Sequence, residues 1–157
     1  MEKRQGSKKV IGFDMDGVII DHTKNKIRAA KKFGVFIKKE EAPSDIIRKK
    51  FSHPLYEQFR NYLYNDLAIK FKPDLIPGVS AVLNKINNRK IQFYLISRQK
   101  NPGVASGILK YHKLWPKYFN EKNTFFVKEV EDKDFEAKKL GITHYIDDEQ
   151  KVLKVLL

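Results

Sequence analysis

A chain of 157 residues is long enough to bury a core of its own and suits one domain with, at most, a small insertion. No apolar run approaches the roughly 18 residues that span a bilayer and the N-terminus has no export-type apolar stretch, so a soluble protein is expected; zero cysteines exclude disulfides, thiolate metal sites and cysteine nucleophiles and leave the redox compartment unread, with the cytoplasm as the default expectation. The formal net charge of +13 favours anionic ligands without naming them.

Residues 1–8 read as a disordered basic tail, with nothing apolar to bury. The run Val10-Ile11-Gly12-Phe13 then reads as a buried parallel strand, and it stops abruptly at Asp14-Met15-Asp16-Gly17. Val18-Ile19-Ile20 suits a short flap leaving the strand end. From Thr23 to Lys72 the pattern is helical: Ile27, Ala30 and Phe33 share a face, Ser44 is placed to cap a helix over Asp45 to Lys50, and Leu55, Phe59, Tyr62, Leu63 and Leu67 recur at helical spacing. Pro73 and Pro77-Gly78 end that block. An amphipathic helix through Val79, Val82, Leu83 and Ile86 leads into a strand ending at Ser97. Asn101-Pro102 starts a helix reaching about Leu114. Thr124 to Val127 is a third strand. A helix from Lys133 to Leu140 has early acids, late lysines and Gly141 as its stop, and His144 to Ile146 is a fourth strand. Strands alternating with helices predict an α/β fold with a doubly wound parallel sheet, interrupted by a helical insertion after strand one.

In open α/β sheets function gathers at strand ends, which singles out Asp14 and Asp16. Two carboxylates so close repel unless a cation lies between them, and a hard ion such as Mg²⁺ is the natural third partner. One acid can then attack an electrophile while the other moves protons. A solvated turn is the bland alternative, since Asp and Gly are common turn formers. His22, His53, His112 and His144 lack metal-ligand spacing, so packing or surface roles are expected of them.

Further along, Ile91 to Arg98 is a strand ending in Ser97, and Lys133 precedes Leu140-Gly141-Ile142-Thr143-His144-Tyr145-Ile146-Asp147-Asp148, a strand ending in paired acids. With the Asp14-Met15-Asp16-Gly17 run, this order resembles the motifs of the haloacid dehalogenase superfamily of phosphohydrolases, and it brackets residues 10–148. The resemblance implies a HAD-like, Rossmann-type core over residues 9–21 and 73–157 with a small helical cap over 22–72. It implies that Asp14 attacks phosphorus to form an aspartyl phosphate and that Asp16 protonates the leaving oxygen and later accepts a proton from water. Met15 and Gly17 would shape the backbone around the phosphate, Ser97 would donate to a phosphate oxygen, and the adjacent Arg98 would contact substrate or remain solvated. Lys133 would hold Asp14 ionised, with Lys128 as the alternative lysine. Asp14, Asp16 through its backbone carbonyl, Asp147 and Asp148 would hold Mg²⁺. Relatives commonly carry a further strand after the paired acids, whereas nine residues follow Asp148 here.

The expected activity is thus Mg²⁺-dependent hydrolysis of a small phosphorylated metabolite. Gly12-Phe13-Asp14-Met15-Asp16-Gly17-Val18 also resembles the deoxyribonucleotidases, which makes a 5′-nucleotidase the alternative. The charge is concentrated in residues 22–76, with 13 Lys/Arg against 6 Asp/Glu, and in 77–116, with 7 against none. That pattern raises a polynucleotide-end phosphatase or nucleic-acid-binding protein as a rival class. It is not favoured, because Tyr56, Phe59, Tyr62 and Tyr64 are better explained by the core of a helical cap than by base stacking.

Overall fold

The computed structural model describes residues 8–156, so the expected tail lies outside them apart from Lys8, which is exposed and in no element. The chain runs β1 (Val10–Phe13), β2 (Ile20–Asp21), α1 (Thr23–Lys32), α2 (Ser44–Ile47), α3 (His53–Asn61), a π-helical turn over Tyr62–Leu67, α4 (Ala68–Lys70), β3 (Asp74–Leu75), α5 (Val79–Asn88), β4 (Gln92–Arg98), α6 (Pro102–Tyr111), β5 (Thr124–Val127), α7 (Val130–Lys139), β6 (His144–Ile146) and α8 (Gln150–Val155). Four strands form one parallel sheet in the order β5-β4-β1-β6. Numbered by appearance within that sheet the order is 3-2-1-4, a Rossmann-type arrangement whose direction reverses between β1 and β6.

Register decides what meets at that reversal. Phe13 is level with Leu95 on β4 and with Ile146 on β6, so Asp14 and Asp147 are each the first residue beyond their strands. The Asp14 amide donates to the Ile146 carbonyl at 2.9 Å and carries the pairing one residue further. Gly12 is required mid-strand because a Cβ there would strike the Tyr145 ring, whose hydroxyl donates to the Ile96 carbonyl at 2.6 Å. Phe13, Met15, Leu95, Leu109 and Phe119 are among the residues of the core, with Phe93 and Phe119 in edge contact at 5.8 Å.

The helical insertion packs around a separate apolar cluster of Ala29, Ala30, Ile37, Ile47, Tyr56, Phe59, Leu63 and Leu67. Tyr56 and Phe59 stack with centroids 5.8 Å apart and Phe59 stacks on Phe51 at 4.8 Å, so these aromatics serve its interior. Its two ends are joined by the antiparallel pair β2–β3, Ile20 opposite Leu75 and Asp21 opposite Asp74.

Several expectations shift. Ile20 belongs to β2 and not to a free flap. Ser44 is the first helical residue and makes no cap; its hydroxyl receives Lys26 Nζ at 3.2 Å, and α2 passes into a 3-10 turn at Arg48. Val82 faces solvent, 50% exposed, while Val79 and Leu83 carry the buried face of α5. Asn101 does cap α6, accepting from the Val104 amide at 3.3 Å, but that helix ends at Tyr111 because Lys113 takes a positive φ of 58°. α7 begins at Val130, three residues early, since Glu129 and Asp132 form a reciprocal capping box.

Candidate active site

β1, α7 and the turn after β6 bring one lysine and three acids together. The first turn of α7 presents Lys133, 2% exposed, with Nζ 3.0 Å from Asp14 Oδ1 and 2.8 Å from Asp147 Oδ2. The second oxygen of Asp147 accepts the Glu149 amide at 2.9 Å, so that side chain is held from both sides. Asp148 is more open and lies against Gly17, whose φ is +82° and whose missing Cβ leaves room for the Asp148 carboxylate. One oxygen from each of Asp14, Asp147 and Asp148 lies within 4.8 Å of the others. Oxygen donors with excess negative charge suit a hard divalent cation.

Electrostatics follow the geometry. Burial pushes the Asp14 carboxyl up to about 7, against the pull of Lys133 and with the repulsion of Asp147 and Asp16. Burial disfavours the Lys133 ammonium, but Asp14 and Asp147 outweigh it and raise its pKa. Asp148 is pushed up to about 6, first by burial and then by Asp147 and Glu149. A cluster in which two carboxyls resist ionisation is short of positive charge.

Asp16 has different surroundings. The chain reverses after Met15, whose carbonyl accepts the amides of Ile19 at 2.8 Å and Ile20 at 2.9 Å, and this turn brings His22 back over Asp16. His22 Nε2 is 2.6 Å from Asp16 Oδ1, and Gln99 Nε2 donates to Asp16 Oδ2 at 2.8 Å and to Ser97 Oγ at 3.1 Å. Burial raises the Asp16 pKa, but His22 and then Gln99 more than offset it, leaving the carboxyl below its usual range.

Asp14, Asp16, Gly17, Ser97, Arg98, Lys133 and Asp148 line one cavity of about 470 Å³. Met15 does not; its side chain is fully buried in the core, so only its backbone is near. Arg98 is occupied by Glu149 at 3.4 Å. Lys128 lies on the wall, and it is Lys133 that reaches the carboxylates. The helical insertion closes the other side with Lys26, Arg60, Asn61 and Tyr64, the last presented by the π-helical turn. Lys26 Nζ is tied to the Ala42 carbonyl at 3.0 Å. Asp21 Oδ1 accepts the Thr23 amide at 2.8 Å, so it starts α1 as well as facing the cavity.

His22 and Gln99 are the residues that sequence reasoning missed. His22 is 4% exposed and hydrogen-bonded to an acid, neither simple packing nor surface. Its position six residues after Asp16 acquires meaning only through the turn at Gly17.

Comparison with known protein families and with curated proteins finds no match. Solved structures do match. A structure from Bacteroides fragilis assigned as a haloacid dehalogenase-like hydrolase aligns with a TM-score of 0.65 at 16% identity, over 96% of this chain and 83% of that one. A hydrolase from Streptococcus pneumoniae TIGR4 aligns with a TM-score of 0.60 at 18% identity, over 96% and 88%. A HAD family hydrolase from Deinococcus radiodurans R1, with bound phosphate and sodium, aligns with a TM-score of 0.53 at 16% identity, over 86% and 68%. The fold is therefore the HAD-like α/β fold.

Proposed function

We propose that this chain is a Mg²⁺-dependent phosphomonoester hydrolase of the haloacid dehalogenase type that acts on a small phosphorylated metabolite. The observation that carries the reading is the pairing of Asp14 with Lys133, 3.0 Å apart at the end of β1, with Asp16 two residues on and acids from β6 alongside. The matching hydrolase that binds phosphate supports an anion site in this fold.

In the first half-reaction an Asp14 carboxylate oxygen attacks phosphorus. The new O–P bond replaces the ester O–P bond, and the leaving oxygen takes the proton of Asp16, whose carboxyl, ionised in the empty site, is protonated once the anionic phosphate lies beside it. In the second half a water oxygen attacks the same phosphorus, its proton passes to Asp16, and the Asp14–phosphorus bond breaks to release inorganic phosphate. Dividing the displacement this way is the gain of covalent catalysis. Lys133 and the Ser97 hydroxyl offset charge on the phosphoryl oxygens, and the Met15–Gly17 backbone and Arg98 complete the enclosure. Asp14, Asp148 and the Asp16 carbonyl would hold Mg²⁺, with Asp147 beside them. Bound there, Mg²⁺ would supply the positive charge the cluster lacks.

The test is hydrolysis of p-nitrophenyl phosphate and of a panel of phosphorylated metabolites, with Mg²⁺ and with EDTA. Turnover that needs Mg²⁺ and is lost in Asp14→Asn supports the reading; metal-independent turnover, or turnover retained in Asp14→Asn, contradicts it.

A further inference from the structure

Asp16 is held by both oxygens, and its two holders come from different elements, the start of α1 and the end of β4. Gln99 follows β4, and its amide hydrogens go to Asp16 Oδ2 and Ser97 Oγ. His22 lies at the start of α1, where the helical insertion begins, with Nε2 on Asp16 Oδ1. The His22 ring is buried edge-on against Tyr64 with centroids 5.0 Å apart, and its Nδ1 has no hydrogen-bond partner among the described residues. A carboxylate can only accept, so at 2.6 Å the hydrogen shared with Asp16 Oδ1 belongs to Nε2, and Nδ1 has no acceptor among the described residues that would hold it instead. His22 is then a fixed donor to Oδ1.

A fixed donor on Oδ1 has a chemical consequence. When Asp16 is protonated, Oδ1 must remain the accepting oxygen, and the proton must sit on Oδ2. Oδ2 still has a lone pair beyond the one that Gln99 uses. We propose that His22 is the positioning residue of the acid–base group, fixing which Asp16 oxygen carries the proton to and from the reacting phosphate. The inference rests on the phosphatase reading above and deepens it: His22 matters in proportion to how much the leaving oxygen needs a proton.

The experiment compares the wild-type chain, His22→Leu and His22→Gln with Mg²⁺ on phenyl phosphate, whose leaving group needs protonation, and 2,4-dinitrophenyl phosphate, whose leaving group does not. The quantity is kcat/KM, which ends at formation of the aspartyl phosphate and excludes its breakdown. General acid catalysis is worth about 10²–10⁴-fold, so His22→Leu should lose at least about tenfold more on phenyl phosphate than on the dinitrophenyl ester. His22→Gln, with an amide donor of similar reach, should recover most of that difference. Turnover of the dinitrophenyl ester also reports that each variant is folded. Parallel losses on both esters, no loss on either, or equal behaviour of Leu and Gln would overturn the role of His22 while leaving the phosphatase reading intact. No turnover of either ester by the wild type would remove the parent reading and this inference together.

Discussion

Asp14 and Lys133 face each other at 3.0 Å, one from the end of β1 and the other from the first turn of α7, and both are nearly sealed from solvent. Lys133 also holds Asp147 at 2.8 Å, so a single ammonium balances two buried carboxylates. Removing one partner of such a group leaves the others uncompensated, at about 3–5 kcal/mol.

Lys133→Met should therefore lower the melting temperature by roughly 6–20 °C, taking 2–4 °C per kcal/mol for a chain of this size. It should also reduce kcat by about 10²–10³, the usual loss when one charge-stabilising donor is removed. Thermal melting and steady-state kinetics on p-nitrophenyl phosphate measure both. A variant as stable and active as wild type would contradict the assignment.

Much of this centre is legible in the sequence. An apolar strand that stops at Asp14-Met15-Asp16-Gly17, and another that stops at Asp147-Asp148, announce where two strands end, and the parallel register then brings those ends together. The limits of β5 and β6 are legible directly, because Asn123 precedes and charged Lys128-Glu129 follow the run Thr124 to Val127, while Asp147-Asp148 end the run His144 to Ile146. The β2–β3 pair is not, since two-residue strands joined across more than fifty positions leave no local periodicity. Phe59, Leu63 and Leu67 keep α-helical spacing in the sequence, so nothing there announces the wider π-helical turn over Tyr62–Leu67, which carries Tyr64 on the cavity wall. His22 and Gln99 are each unremarkable alone; their shared partner Asp16 exists only after the chain reverses.

In the metal-free protein stability should depend on pH in a direction set by Asp14 and Asp148. Their folded pKa values, about 7 and about 6, exceed the ordinary carboxyl value of 3.8. The folded state thus binds these protons more tightly than the unfolded chain, so the contribution is complete below about pH 4 and is lost as pH rises through 6 and 7. With EDTA, the melting temperature should fall between pH 5 and pH 8. Mg²⁺ competes with those protons, so its stabilisation should be larger at pH 8 than at pH 5. At one hundred times Kd it is worth about 2.7 kcal/mol. A metal increment independent of pH would contradict proton–metal competition at this cluster.

Asp147 and Asp148 should separate in their effects. Asp147 is taken up by Lys133 and the Glu149 amide, whereas Asp148 is open to the cavity. Asp148→Asn should weaken Mg²⁺ binding without destabilising the metal-free protein at pH 8, because it removes a crowded negative charge. Asp147→Asn should lower the metal-free melting temperature by releasing Lys133. Melting curves titrated with Mg²⁺ distinguish the two, and identical behaviour would refute the division.

Gly17→Ala tests the fit of the turn to the metal site. A residue with Cβ at φ +82° carries roughly 1–2 kcal/mol of strain, and here that Cβ would strike the Asp148 carboxylate. Mg²⁺ affinity should fall together with stability. Unchanged Mg²⁺ affinity would mean that Asp148 is not a ligand.

On the proposed mechanism Asp14 becomes phosphorylated in every turnover. Acid-quenching the protein during turnover of p-nitrophenyl phosphate with Mg²⁺, followed by mass spectrometry of its peptides, should find one phosphoryl group on Asp14 and none there in Asp14→Asn. Turnover with no protein-bound phosphoryl group, or with the group on another residue, would rule out an aspartyl phosphate at Asp14.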